Sequence, residues 1–411
     1  MSRSVSVLGT LVLGLSLAAP ALAQAQTDRR IIIFNESVSP AQRLVLAQSS
    51  GAKIVRELPL INAVVIESPL TKVYAAEAKL RTLTEVSRID DDPRINWLKA
   101  ADARGVDFAA PNVSAVVAPI LEMAKRRRKA PVAPPVAPAG QETPWGIKKV
   151  SAPAAWAKTQ GEGVKLAVID TGIDRTHPDL APNVKGGWNV ITKTADFTDD
   201  NGHGSHCSGT IGAVDDDKGV VGVAPKVSLY GVKVLDADGS GSFDDVIAGM
   251  HWAVDNKMEV ASMSLGAEKG NPAMADMVAA MAKAGVILIA AAGNSSGPVG
   301  YPAAYPGAIA IAASDSKDKL AYFSSFGPQV ALIAPGVDVK STYKDGGYET
   351  LSGTSMATPH VAGLTALYVA THKGATPAQA RAALRASARK LPGVPQAGQG
   401  AGLPNAAKLV Q

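Results

Sequence analysis

Cysteine is almost missing from this 411-residue chain: Cys207 stands alone, so no intrachain disulfide can form, and stability must come from packing, bound ions or both. Excess charge of one sign is also scarce. Lys and Arg number 41 against 36 Asp and Glu, and the resulting +5 is too small for a basic face spread across the fold, so no nucleic-acid partner is expected. Much of that excess lies in one run, Lys125-Arg126-Arg127-Arg128-Lys129, which reads as a solvated linker or a protease-sensitive site. The apolar stretch from Val5 to Ala19 is short and followed by polar Gln24, which argues against a retained membrane anchor. With Arg3 before it and Ala21-Leu22-Ala23 after it, residues 1–23 read as a signal peptide, and export to the extracellular side is expected. No Cys/His set has structural zinc spacing and no His-Glu-x-x-His occurs, which rejects zinc. What remains, 46% hydrophobic and 19% charged residues, is ordinary for a soluble globular protein, and the length implies two folded units plus processing segments.

The first unit, residues 24–98, reads strand, helix, strand, strand, helix, strand. Ile31 to Phe34 is a short apolar run, and Pro40 to Gln48 has helical spacing with Ser39 as its cap. Lys53-Ile54-Val55 and Ala63 to Ile66 flank a turn at Pro59, Val73 to Leu83 is a second helix, and Val86 to Ile89 a last strand. Residues 99–140 are rich in Ala, Pro and basic residues, a composition that buries no core and forms an extended spacer. From Gln141 to Gln411, buried strands (Lys165 to Ile169, Ser228 to Val234, Val260 to Ser264, Val286 to Ala291) alternate with helices (Asp244 to Asn256, Pro272 to Ala284, Ser355 to Thr371). Continuous apolar strands between helices predict an α/β fold, a mainly parallel sheet with helices on both faces and a site at the strands' carboxyl ends.

Three segments carry chemistry. Ser355 lies in Gly353-Thr354-Ser355-Met356-Ala357-Thr358-Pro359-His360 at a helix start, Asp170 in Val168-Ile169-Asp170-Thr171-Gly172 at a strand end, and His203 in Asn201-Gly202-His203-Gly204-Ser205-His206. A serine hydroxyl needs an imidazole to take its proton and a buried carboxylate to hold that imidazole, and these residues supply all three parts. Alone, each is a backbone-bonded serine or a turn; together, in the order Asp, His, Ser, they outweigh that reading. No Gly-x-Ser-x-Gly elbow surrounds Ser355, which sets the chain apart from α/β-hydrolases.

From about Gln141 onward, the three motifs resemble those of the subtilisin-like serine proteases. The resemblance implies a secreted serine endopeptidase that hydrolyses protein and peptide substrates through an acyl-enzyme on Ser355. His203 is then the general base, His206 structural, and Asn294, in Ala291-Ala292-Gly293-Asn294, an oxyanion donor beside the Ser355 N–H. Gly239-Ser240-Gly241 and Ser264-Leu265-Gly266 flank the substrate, with Phe243 and Leu265 lining an apolar subsite for the fourth residue before the scissile bond. Gly300 floors a roomy first subsite that prefers large apolar residues. Calcium is the implied ion: Gln141, Asp179 and Asp216 offer side-chain oxygens, and Val214, Lys218 and Val220 offer carbonyls. The first unit resembles the small α+β, ferredoxin-like propeptide of this family, a chaperone and temporary inhibitor of its own catalytic domain, although here a spacer separates the two. A monomer is expected, with Cys207 near the site conferring sensitivity to mercurials and no thiol mechanism. A binding protein on a dead scaffold is disfavoured because no triad or oxyanion residue is replaced. The acidic relatives that use glutamate as base are opposed by His203 in its full motif.

Overall fold

The computed structural model describes residues 26–99 and 140–411; the expected signal segment 1–23 and nearly all of the spacer lie outside the described residues. The N-terminal unit runs β1 (Thr27–Phe34), α1 (Pro40–Ser49), β2 (Lys53–Leu58), β3 (Ala63–Pro69), α2 (Leu70–Arg81) and β4 (Val86–Asp91), giving an antiparallel sheet ordered β2-β3-β1-β4. Ser39 caps α1 in a reciprocal box with Gln42. The second helix starts at Leu70 and ends at Arg81, earlier at both ends than the 73–83 read from apolar spacing, because Pro69 closes β3 and opens the helix with no capping side chain to announce it. Ile31 to Phe34 are apolar without alternation because both faces of the sheet are covered. Ile32, Phe34, Val64 and Ile66 pack with Ala47 and Leu80 of the unit's own helices, while Ile31, Ile33, Ala63 and Val65 join the core of the larger unit.

The N-terminal unit ends with β5 (Arg94–Asn96), and the larger unit runs, after the short α3 (Trp145–Lys149), through β6 (Lys165–Asp170), β7 (Val184–Asn189), α4 (His203–Gly212), β8 (Ser228–Lys233), β9 (Ser240–Ser242) and α5 (Phe243–Asp255). There follow β10 (Val260–Met263), α6 (Pro272–Lys283), β11 (Ile287–Ala291), β12 (Ala308–Ser314), β13 (Val330–Pro335), the hairpin β14 (Val339–Thr342) and β15 (Tyr348–Leu351), α7 (Thr354–Thr371) and α8 (Pro377–Ser387). Seven strands form one parallel sheet ordered β13-β12-β11-β10-β6-β8-β7, and the chain order reverses between β10 and β6. That reversal opens a crevice at the strands' carboxyl ends. Asp170 closes β6 and Ser264 follows β10, so both stand at the crevice. Helix α7 is buried on every side from Thr354 to Val369. Gly204 lets α4 press against the loop after β6, since a Cβ there would lie 2.1 Å from the Gly172 carbonyl oxygen.

The N-terminal sheet rests on the starts of α5 and α6. Asp244 and Asp245 open α5, where acids complement the helix dipole. Arg29 pairs with Asp244 at 3.1 Å, and Arg56 with both Asp244 and Asp245 at 2.6 Å. Arg88 reaches Asp276 of α6 at 2.6 Å, and Asp92 accepts the Asp244 N–H at 2.8 Å. Burial first, and the neighbouring charge of Asp244 second, push the Asp92 carboxyl up to about 9 from 3.8. A raised carboxyl favours the protonated form in the docked state, so this stabilisation is full below about pH 4 and is lost as pH rises through about 9. In a Ser355→Ala chain, the emission of Trp97, fully buried at this contact, is therefore expected to shift to the red between about pH 4 and about pH 9. Asp92→Asn should flatten that response, and an equal shift in both chains would remove Asp92 from the docking equilibrium.

Candidate active site

Asp170 and His203 meet at the crevice, with Asp170 Oδ1 2.8 Å from His203 Nδ1 and both side chains buried. A carboxylate oxygen only accepts, so Nδ1 carries the proton and Nε2 is the basic nitrogen of the ring. The loop that delivers His203 is built on a carboxylate that sequence reasoning missed. Asp199 is buried and accepts from Thr171 Oγ1 (2.8 Å), the N–H groups of Asn201 (3.0 Å) and Gly202 (2.8 Å), and Ser205 through N (2.8 Å) and Oγ (2.7 Å). Thr171 Oγ1 in turn accepts the Gly204 N–H at 2.9 Å, which ties the start of α4 to the residue after Asp170. Lys233, also missed, is buried at the end of β8 and donates to the carbonyls of Thr171 (2.7 Å) and Leu235 (2.8 Å) and to Asp200 (2.7 Å).

Ser355 is the second residue of α7, and its Oγ lies 2.9 Å from the Ser264 carbonyl oxygen. Pro359 lies beyond the first turn of α7 and has no N–H to give the Ser355 carbonyl four residues earlier. Ser264 Oγ, at 2.9 Å, and Cys207 Sγ, at 3.5 Å, donate to that carbonyl instead. Asn294 follows β11, and its Oδ1 accepts from both N and Oγ1 of Thr354 at 2.9 Å. The acceptor end being occupied, Nδ2 is left buried with no acceptor among the described residues. A preorganised donor without a partner among the described residues, close to a serine at a helix start, is what a developing oxyanion would require. Thr354, which turns the amide this way, was not singled out from the sequence. His206 Nε2 faces the carbonyls of Val339 (3.0 Å) and Glu349 (3.2 Å), so it donates and braces the β14–β15 hairpin. Donor atoms of Asp170, His203 and Cys207 lie within 4.8 Å of one another, yet burial, then the Asp170 charge, pushes the Cys207 thiol well up and opposes its use as a thiolate.

The expected substrate strands are filled by the chain's own N-terminal unit. β5 pairs antiparallel with β9, matching Ile95 to Gly241 and Asn96 to Ser240. Trp97 donates its N–H to the Gly239 carbonyl at 2.9 Å and accepts the Gly266 N–H at 3.2 Å. Its ring meets Phe243 edge to face at 4.7 Å, and Leu98 packs where Gly239 has no side chain. Leu265 is fully buried in the core. Asn96 Oδ1 accepts the Lys99 N–H at 2.7 Å. A cavity of about 360 Å³ beyond it is lined by Gly266, Ala267, Asn294, Val299 and Gly300.

The 214–220 loop folds around Asp179. Gln141 Nε2 donates to the Val214 carbonyl at 2.9 Å, and Asp179 Oδ2 accepts from the Val220 N–H (2.8 Å) and the Tyr348 hydroxyl (3.0 Å). Lys218 N–H lies 3.3 Å from Asp216 Oδ1. Burial raises the Asp179 carboxyl, and the nearby Asp216 charge adds to it. A buried carboxylate with a second acid beside it and no lysine or arginine paired to it among the described residues is the hard-oxygen surrounding that suits a cation.

A buried parallel α/β sheet with an Asp–His pair, a serine at a helix start and an orphan amide at the strand ends defines the class of a serine hydrolase. Comparison with known proteins carries this further. Residues 161–402 match the Subtilase family model (Peptidase_S8). Subtilisin E of Bacillus subtilis (strain 168) is 45% identical over 258 residues, covering 61% of this chain and 67% of that protein. Subtilisin Savinase of Lederbergia lenta is 48% identical over 229 residues, 55% of this chain and 84% of its own. The chain belongs to the subtilase family and is a serine endopeptidase.

Full burial and a raised thiol disfavour reaction of Cys207 with bulky thiolate-directed reagents in the folded protein. Titration with an aromatic disulfide reagent near pH 8 is expected to find no thiol in the native chain and one after denaturation. Rapid native labelling would contradict the burial on which the Ser355 carbonyl contact depends.

Proposed function

We propose that this endopeptidase works through an acyl-enzyme on Ser355. His203 Nε2 takes the hydroxyl proton as the oxygen attacks the scissile carbonyl, and Asp170 holds the tautomer and stabilises the imidazolium that forms. Asn294 Nδ2 and the Ser355 N–H stabilise the oxyanion, after which the imidazolium protonates the leaving amine and a water repeats the sequence in reverse. The observation that carries the reading is the orphan Nδ2 of Asn294, buried and oriented by Thr354 beside the 2.8 Å Asp170–His203 pair.

Substrates pair their main chain with Gly239–Gly241 and Ser264–Gly266, which asks little of side chains and gives broad specificity. Phe243 and Leu265 form the fourth subsite. The first, floored by Gly300, prefers large apolar residues. Residues 24–98 are the propeptide that holds this cleft until self-processing within 99–140, residues 1–23 direct secretion, and the catalytic unit 141–411 acts as a monomer without nucleic acid or membrane anchor; no described helix is long and apolar enough to cross a membrane. Gln141, Asp179 and Asp216, with carbonyls of Val214, Lys218 and Val220, hold calcium, whose charge offsets the buried acid and ties the start of the catalytic unit to the fold.

Wild type, purified with calcium, is expected to shorten to a species starting between Lys99 and Gln141 and to digest casein, while Ser355→Ala stays full length and inert; hydrolysis retained by Ser355→Ala ends the assignment. Asn294→Ala should keep the fold and lose about 10²–10³ in kcat, the loss known for a member of this family. Chelation should lower the melting temperature of the mature enzyme, with calcium restoring it by mass action. Asp179→Asn should blunt that response, and a melting temperature indifferent to calcium in wild type would dismiss the site.

A further inference from the structure

The cavity floored by Gly300 has one ionisable residue in its lining, Glu268. Glycines, Ala267, Pro298, Val299 and the small polar groups of Asn294, Ser295 and Ser325 make up the rest. Glu268 is exposed and also lines the adjoining cavity of about 590 Å³, so its carboxylate stands on the rim the two share. It makes no ion pair among the described residues. Two lysines, Lys269 and Lys99, line only the adjoining cavity. Lys99 belongs to the segment seated in the cleft, so the chain's own bound segment already brings a lysine to a cavity that Glu268 also lines.

A long basic side chain suits this arrangement: its aliphatic stem lies along apolar walls while the charged head stays wet at the mouth, where an unpaired carboxylate meets it. We propose that Glu268 is a specificity-determining residue of the first subsite and admits lysine and arginine there alongside apolar residues. This rests on reading that cavity as the first subsite. It extends the apolar preference set by the walls, because floor and rim act on different parts of one side chain. The spacer contains an unbroken basic run, Lys125 to Lys129, that offers the enzyme such bonds in its own precursor.

The test uses mature wild type, Glu268→Gln and Glu268→Lys with tetrapeptide anilides differing only in their last residue, arginine, lysine or norleucine. The readout is the ratio of kcat/KM for the basic peptide to that for norleucine, at low and high salt. A solvent-exposed pair is worth up to about 1 kcal/mol, so Glu268→Gln is expected to lower the ratio by about three- to fivefold at low ionic strength. Glu268→Lys should lower it further, and salt should depress the ratio in wild type but leave it unchanged in Glu268→Gln. Hydrolysis of norleucine with a ratio that neither substitution nor salt moves overturns the role of Glu268 alone. Failure of wild type to cut any of the peptides overturns the subsite reading beneath it.

Discussion

The carbonyl of Ser355 has no helical donor, because Pro359 stands where one is required, and the site is organised around that missing hydrogen bond. A buried carbonyl left unpaired costs about 1–3 kcal/mol, so the fold supplies substitutes. They come from two other segments: Ser264 after β10, and Cys207 on the helix that carries His203. The backbone of Ser355 is thereby tied to the strand end at the crevice and to the helix that presents His203. Since Ser355 Oγ also meets the Ser264 carbonyl, Ser264 contacts Ser355 through both hydroxyl and backbone. A proline that weakens the helix locally thus fixes the relative position of three elements.

The same strand edges serve the N-terminal unit and, in the proposed reaction, a substrate. β9 and Gly266 present backbone groups that an extended chain satisfies, and β5 with Trp97 satisfies them here. Two occupants of one set of hydrogen bonds exclude each other, so in the proposed reaction inhibition by the N-terminal unit would need no separate device. The arginines at the α5 start add ion pairs outside the cleft.

The proposed catalytic residues stood out as candidates because each lies in a short motif whose neighbours are constrained by the same chemistry: a glycine before His203, a strand before Asp170, small residues around Ser355. Asp199, Thr354 and Lys233 were not, since their importance lies in bonds to partners remote in sequence, as with Asp199 to Thr171, Lys233 to Thr171 or Thr354 to Asn294. Strands β12 and β13 escaped for a different reason. Ala308-Ile309-Ala310-Ile311-Ala312-Ala313 is alanine-rich and buried throughout, so neither propensity nor alternation marks it as a strand. β7, with Gly186 and Gly187 and partial exposure, looks like a loop until it pairs with β8. The parallel sheet itself was readable, because its central strands are apolar runs separated by helices of ordinary length.

Buried carboxylates recur through the molecule, and their partners decide what each can do. Burying an unpaired charge is costly, so every such group needs a cation, donors or a proton. Asp199 takes five donors and becomes rigid scaffolding. Asp170 shares its Oδ1 between the Thr171 N–H and the ring of His203, a partner whose charge can change. Asp244 is matched by arginines from the N-terminal unit, and Asp92, arriving with that unit, is matched by a proton. The first two lie wholly within the larger unit and persist whatever occupies the cleft. The last two exist only while the units are together, and their separation returns Asp92, Arg29 and Arg56 to water while leaving Asp244 and Asp245 at the start of α5, where the helix dipole still favours them. The docked arrangement can therefore respond to pH and salt without disturbing the pairing that positions His203.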